Sequence, residues 1–449
     1  TKEIVSFSFK KTDNPSLPED VHGTIRNDSI LVTLPFGTTV KALKPTVLIN
    51  GQDVSPANLS SQDFTEPIAY TVRAEDRSSR IYTAVVILSE SQLYGTMFIN
   101  SSYANLSGVG RLYAIDINTG KLRWKYAMDS SGSYPPPFFK EGIVYTAVQR
   151  KLLAIDTVTK AVKWQFIAGD FIQSAPVIVN NILYFNCNDR ALYALDVSTG
   201  QLLWKFLQTS PGQDDPANTS SPTIVNGVLY FASSDQHIYA VNALTGALKW
   251  KTYNSLGMGA TIHSSVSVVG DKLYVGDFYR NLLAFNISDG SQAWVFNPFG
   301  PMHSSPTVLD GVVYIGAAQH FYAVNAADGT LKWRIPTAFH IFSSPIVSGN
   351  TVYITSDGPN SGILYALNIA DGTQKWIFQN DHGFQGSPVV VEDVVFCPSY
   401  SSVVAVNAAT GKLRWRFRTD TNLEDITASP VIVDVKGKVY HSSVSGAQQ

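Results

Sequence analysis

Between residues 174 and 206, apolar side chains fall in four short runs divided by polar turn residues. The runs are Ala175-Pro176-Val177-Ile178-Val179, Ile182-Leu183-Tyr184-Phe185, Leu192-Tyr193-Ala194-Leu195 and Leu202-Leu203-Trp204-Lys205-Phe206. Each has the length of a strand, so the stretch predicts four consecutive strands. Its second half carries a phrase that occurs eight times: apolar, apolar, Ala, apolar, Asp or Asn, two spacers, Thr or Asp, Gly, three spacers, Trp. The copies end at Trp124, Trp164, Trp204, Trp250, Trp294, Trp333, Trp376 and Trp415, at intervals of 40, 40, 46, 44, 39, 43 and 39 residues, and they use every tryptophan in the chain. A period near forty built only from strands predicts the blades of a β-propeller, here with eight of them.

The phrase has a physical reading at each fixed position. From Asp196 to Gly200 it predicts a hairpin link in which the carboxylate caps turn amides and Gly takes a positive φ. Seven copies keep that Gly, while the second has Lys160. A lysine there costs roughly 1 kcal/mol, so we expect that turn to be distorted. The Ala column (Ala114, Ala154, Ala194, Ala240, Ala284, Ala323, Ala366, Ala405) is unbroken, which predicts a neighbour that leaves no room for a larger side chain. An indole buries about 150–250 Å², on the order of 4–6 kcal/mol of gross burial. The tryptophans are therefore read as structural docking groups between blades rather than as stacking groups for a cofactor.

Both ends of this region point to ring closure. Ala428-Ser429-Pro430-Val431-Ile432-Val433 repeats the opening strand of a blade and Lys438-Val439-Tyr440-His441 the second, yet no further Trp follows. These strands are expected to complete the blade whose later strands lie in residues 112–127. Gly95-Thr96-Met97-Phe98-Ile99 also reads as a second strand, so two segments compete for one slot. Residues 1–91 lack the repeat and form a separate domain from 92–449. There Val5, Phe7 and Phe9 alternate with polar residues, Ile30–Leu34 reads as a strand, and Tyr70–Ala74 and Tyr82–Leu88 flank a turn at Glu75–Ser79. A small all-β sandwich is predicted.

Two resemblances follow from these residues. The phrase with Ser304-Ser305-Pro306-Thr307-Val308 to Gly316 upstream of it resembles the tryptophan-docking repeat of PQQ-like β-propellers, over residues 92–449. Asp63-Phe64-Thr65 through Tyr70-Thr71-Val72 and Ala74-Glu75-Asp76 to Tyr82-Thr83 is similar to Ig-like modules at the front of surface lipoproteins of some Gram-negative bacteria. Together they imply an all-β chain: an eight-bladed β-propeller preceded by a small Ig-like β-sandwich acting as spacer or docking unit. The propeller family includes quinoprotein alcohol dehydrogenases, which bind pyrroloquinoline quinone. It also includes non-enzymatic members such as the propeller lipoprotein of the outer-membrane β-barrel assembly machine, which this chain resembles more in type. The resemblance implies, for the enzymes, adjacent bridged cysteines, a calcium site, a catalytic Asp and an additional Trp under the quinone. Here Cys187 and Cys397 are far apart, and no Trp is left over. Neither pyrroloquinoline quinone nor calcium is expected.

Composition narrows the partners. With 449 residues, 45% of them hydrophobic, the chain can bury large cores in two domains. A formal net charge of −2 gives no basic field, so nucleic acid is not an expected partner. The apolar runs are strand-sized and none is long enough to span a membrane as a helix. A chain that begins at Thr1 leads us to expect that a leader or lipid anchor belongs upstream. Cys187 and Cys397 fall in blades three and eight, too far round the ring to bridge.

Candidate ligand groups come from propeller geometry. The residue before each first strand should ring one mouth of the channel; the column is Tyr134, Gln173, Thr219, His263, His303, Phe342, Gln385 and Thr427. Just outside it lie His340, His382, Phe384, Phe339, Asp170, Phe171, Glu424 and Asp425. Such groups suit a glycan or small ligand, or a metal, although no pair has metal-ligand spacing and simple capping of the channel explains them as well. Asp116, Asp156, Asp196, Asn242, Asn286, Asn325, Asn368 and Asn407 sit in the outer hairpins, where turn capping accounts for them. No GxSxG, P-loop, HExxH or nucleotide-binding glycine motif occurs, and no catalytic residue is assigned. The expected function is a non-catalytic binding or scaffold protein of a Gram-negative cell envelope, in the periplasm or at the surface and anchored to the outer membrane, with a protein or polysaccharide partner. Glycan or small-ligand recognition at the mouth is the alternative, and a quinoprotein dehydrogenase the remote one.

Overall fold

The computed structural model describes residues 1–35, 37–89, 91–103, 109–129, 135–208, 220–233, 235–253, 262, 264–421 and 424–442. Among them there is no helix, hence none long and apolar enough to cross a membrane. The chain divides into two compact units, Thr1–Gln92 and Leu93–Gln449.

The first unit is a two-sheet sandwich. Glu3–Phe9 pairs with Val21–His22 and Pro45–Asn50 in a three-stranded sheet; Ser29–Leu34, Ser79–Leu88 and Ile68–Arg73 form the centre of a five-stranded one. Ile68–Arg73 and Ser79–Leu88 make the hairpin that their alternation predicts, whereas Ser29–Leu34 joins Ser79–Leu88 in parallel. The buried face of each strand meets the other sheet: Phe7 and Phe9 lie against Phe64 and Tyr70, with Phe7 and Tyr70 edge to face at 5.2 Å.

Among its described residues the second unit contains eight sheets, seven of them four-stranded meanders. Blade three runs Val177–Val179, Ile182–Cys187, Ala191–Asp196, Leu202–Leu207, from the axis outwards. Its middle strands are buried because both faces touch neighbouring blades, while the outer strand alternates between partly buried and exposed residues. The closing blade is larger. Its row runs Leu122–Ala127, Arg111–Asp116, Gly95–Tyr103, Val431–Asp434, Val439–His441, with Glu424–Asp425 paired to the far end of Gly95–Tyr103. The competition between two segments for the second-strand slot is thereby resolved: Gly95–Tyr103 takes it, and Val439–His441 becomes a fifth strand beside the first strand of blade eight.

The repeated phrase acquires a three-part explanation. Each Ala faces the blade's Trp on one side and an aromatic of the second strand on the other, as Ala154 does with Trp164 and Tyr145. The small Cβ lets the two rings meet above it, at 5.8 Å for Tyr145 and Trp164 and again for Tyr184 and Trp204. A larger residue would hold them apart. The indole then reaches across to the next blade. A Cβ on Gly200 would stand 2.5 Å from Trp164 Cε3, and Gly120, Gly246, Gly290, Gly329, Gly372 and Gly411 make the same approach to the Trp of the preceding blade. Glycine is needed there twice over, because Gly200 also has φ of +71°. The Trp164 Nε1–H donates to Val197 O at 3.0 Å, and Trp294 Nε1–H with the Tyr274 hydroxyl donates to Ala326 O. The docking reading of the tryptophans is thus given a geometry: ring on turn, and ring to carbonyl.

One expectation fails. The Lys160 turn is not distorted: Lys160 takes φ of +63°, and its amide donates to Asp156 O at 2.8 Å as Gly200 does to Asp196 O. The hairpin hydrogen bonds outweigh about 1 kcal/mol of backbone strain.

Candidate functional site

The Ser-Ser-Pro signature explains how the mouth is held. The amide of Ala175 donates to Ser221 Oγ, Ser221 to Ser265, Ser265 to Ser305, Ser305 to Ser344, Ser344 to Ser387 and Ser387 to Ser429, each at 2.9 Å. This chain of buried bonds passes from blade to blade around the axis. The preceding serine works within its own blade, where Ser174 Oγ donates to Asn186 O and accepts from Asn186 N–H, tying first strand to second. The ring stops at the blade that carries Pro136 at the equivalent position, since proline has neither an amide hydrogen nor a hydroxyl. At that gap Pro136, Phe138, Ala175 and Val431 line a small cavity with His441 and Ser442 of the C-terminal segment, and the His441 ring lies over Phe138 at 6.5 Å. Burial pulls the His441 imidazole below its ordinary pKa.

On this framework the mouth residues separate into groups. Tyr134, Thr219 and His263 lie outside the described residues. Gln173 accepts from Asn188 Nδ2 at 3.2 Å, and Thr427 is partly buried. Phe384 is a correction: it is fully buried between blades seven and eight, where Gly362 makes room for its ring, and it cannot meet a ligand. Glu424 is also fully buried, as the counter-ion of Arg111 and acceptor of the Tyr113 and Ser101 hydroxyls. It latches the chain end onto the closing blade. His382 is exposed, its carbonyl accepting from Asn380 Nδ2.

The remaining candidates join in one track over four consecutive blades. Phe278 meets His303 edge to face at 5.3 Å, His303 meets Phe342 at 5.0 Å, and Phe342 stacks on His340 at 6.3 Å. The His340 carbonyl accepts from the Asp357 amide at 2.7 Å. Asp357 Oδ2 accepts from the Tyr400 hydroxyl at 3.0 Å and from Gln385 Nε2 at 3.2 Å. Phe278 and His340 are exposed, and the others are partly buried. Burial, opposed by those two hydrogen bonds, leaves the Asp357 carboxyl above its usual range; burial does the same to Asp425. Asp357 lies near the end of the second strand Thr351–Gly358, and Tyr400 and Phe278 lie in links between second and third strands, places that a search confined to the residues before each first strand does not reach. The departure of Phe278-Tyr279 from the polar residues usual in a tight link was the available signal.

Six of the eight outer Asp and Asn residues cap turn amides as expected, whereas Asn286 and Asn325 donate from Nδ2 to the Ser291 and Thr330 hydroxyls. Asp196 Oδ1 accepts from the Ser198 hydroxyl and the Thr199 amide, which hold its carboxyl below the usual range. Among the described residues, no three of His, Cys, Asp and Glu gather as a metal-holding group. Cys187 and Cys397 are buried and unbridged, with their thiols pushed up by burial.

Compared with known proteins, residues 108–255, 234–338 and 316–449 match the family described as outer membrane protein assembly factor BamB. The chain belongs to this family. Residues 4–86 match a second one, described as SGBP, N-terminal. The BamB of Moranella endobia is 31% identical over 104 residues, 22% of this chain and 27% of that protein. A tetrathionate hydrolase of Acidithiobacillus ferrooxidans is 47% identical over 53 residues, 11% of each chain. The matches thus span about a quarter or less of these curated relatives. In structure, BamB from Moraxella catarrhalis aligns over 67% of this chain and 92% of its own with a TM-score of 0.56 at 17% identity. A quinohemoprotein alcohol dehydrogenase of Comamonas testosteroni aligns over 71% and 75% with a TM-score of 0.55 at 15% identity. At such identities the likeness is one of fold, which enzymes and BamB share.

Proposed function

We propose that this BamB-family propeller is a non-catalytic recognition and scaffold protein of the cell envelope, working outside the cytoplasm, and that it holds a protein or polymer partner against its loop-bearing mouth face. The observation that carries this reading is the unbroken track from Phe278 to Tyr400 across blades five to eight. Exposed rings with a few convergent polar groups are what a binding surface offers, and nothing in the track pairs a nucleophile with a base. The family's description as an outer-membrane assembly factor supports an envelope setting. The N-terminal sandwich serves as spacer or docking unit.

Two observations support work without pyrroloquinoline quinone. The cysteines lie in blades three and eight, so they form no adjacent pair. Seven of the eight indoles lie with one face on a glycine turn of the next blade, which closes that face to a cofactor. The test is co-purification from envelope fractions with the parent chain and a Phe278→Ala/Phe342→Ala variant. The parent is expected to capture a partner that the variant releases; equal capture by both, or none by either, sinks the reading. Addition of pyrroloquinoline quinone and calcium is expected to produce no cofactor absorbance and no dye reduction.

A further inference from the structure

We infer that the mouth face of blades five to eight is a binding site for a neutral polysaccharide, with Phe278, His303 and Phe342 as the ring platform and Asp357, Gln385 and Tyr400 as the end that reads hydroxyls. This rests on the recognition reading above and narrows it to one ligand chemistry. The ring centroids step by 5.3 and 5.0 Å from Phe278 through His303 to Phe342, with successive planes turned by 77° and 45°, so the rings offer edges and tilted faces at a step comparable to the length of one pyranose. A chain of sugars presents C–H faces at such a repeat, and aromatic rings bind them with large contact area and little lost freedom. At the far end, three polar groups stand within one hydrogen-bonded knot: Gln385 Nε2 is 2.5 Å from Tyr400 Oη, and both donate to Asp357 Oδ2. The two Gln385 Nε2 hydrogens and the Tyr400 phenol proton are spent inside the knot, so what it offers vicinal hydroxyls is acceptors, the remaining lone pairs of Asp357 Oδ2 and Tyr400 Oη.

The charge of the ligand follows from the same knot. Neither hydrogen-bond partner of the Asp357 carboxylate is a lysine or arginine, and Asp425 acts on Tyr400 as a second acidic neighbour. An anionic polymer would meet like charge at low dielectric, so a uronic acid chain is disfavoured and a neutral one suits the site. A peptide fits less well. Capture of an extended peptide by strand addition needs free strand amides, and those where the first strands begin are already taken by the serine ring.

Affinity electrophoresis of the full chain through gels containing starch, laminarin, xylan or galactomannan, with polygalacturonate as the anionic control, tests the inference. At least one neutral polymer should retard the parent and polygalacturonate should not. Phe278→Ala and Phe342→Ala should each weaken that retardation by about tenfold, the worth of one good ring contact. Asp357→Asn should weaken it as well, and Leu244→Ala, an exposed apolar side chain of an outer hairpin, should leave it unchanged. Melting curves of all four variants separate lost binding from lost folding. Retardation by no neutral polymer, preference for polygalacturonate, or unchanged retardation of both ring variants overturns the site. If envelope co-purification still yields a protein partner while no neutral polymer binds, the saccharide inference falls and the recognition reading stands.

Discussion

Blade three and the closing blade share one four-strand frame and are held by different means. Blade three is continuous in sequence, so its strands need only the contacts that the repeat supplies: Ala194 between two rings, Gly200 under Trp164, and Ala175 N–H on Ser221 Oγ. The closing blade joins residues from both ends of its domain, and among the described residues it has what no other blade has: a fifth strand in the row, an added pairing at Glu424–Asp425, and an ion pair from Arg111 to the buried Glu424. The difference teaches where a ring is weak. Its serine chain ends at Pro136, and the extra strand comes to lie beside that gap.

The sharpest way to break the comparison is Arg111→Ala. It leaves Glu424 buried without its counter-ion, for an expected loss of about 3–5 kcal/mol in denaturant unfolding; a loss below about 1 kcal/mol would mean that the latch contributes little. Within blade three, Gly200→Ala drives a Cβ into Trp164 at a positive φ and should cost about 2–4 kcal/mol, strain and overpacking together. A crystal structure of that variant should show the Trp164 ring displaced. Ser221→Ala removes the acceptor of a buried amide and should cost about 1–3 kcal/mol, with hydrogen exchange of the Ala175 amide accelerated.

At the closing blade the effect of pH has a definite sign. Because burial depresses the His441 pKa, the unfolded chain takes the proton first. Stability is therefore full above about pH 6.5 and falls as the pH drops below it. His441→Gln should flatten that part of a melting profile. The smallest effect is a gain: Lys160→Gly relieves a residue held at positive φ and should stabilise by up to about 1 kcal/mol. No gain would mean that the lysine side chain makes contacts that offset its backbone cost.

Much of this was legible beforehand. The eight blades, the strand positions and the capping role of Asp196 all follow from local spacing, which a two-residue strand period and a turn residue record faithfully. The site was legible only in part. The column before each first strand includes His303, Phe342 and Gln385, yet it also includes Thr427, and its outer neighbours include Phe384 and Glu424, which are buried. One position in a repeat faces solvent or core according to what the adjacent blade presents, and that information is not local.

The chain's repeat, by itself, determined how many blades there are and that the tryptophans dock between them, because both follow from a phrase of residues close in sequence and repeated at one period. Only the tertiary structure decided that Gly95–Tyr103 holds the second-strand slot, that Val439–His441 lies beside the gap at Pro136, and that Phe278, Phe342 and Asp357 share a track. Those outcomes bring together segments up to several hundred residues apart. Their energies come from burial and pairing that exist only once the ring has closed.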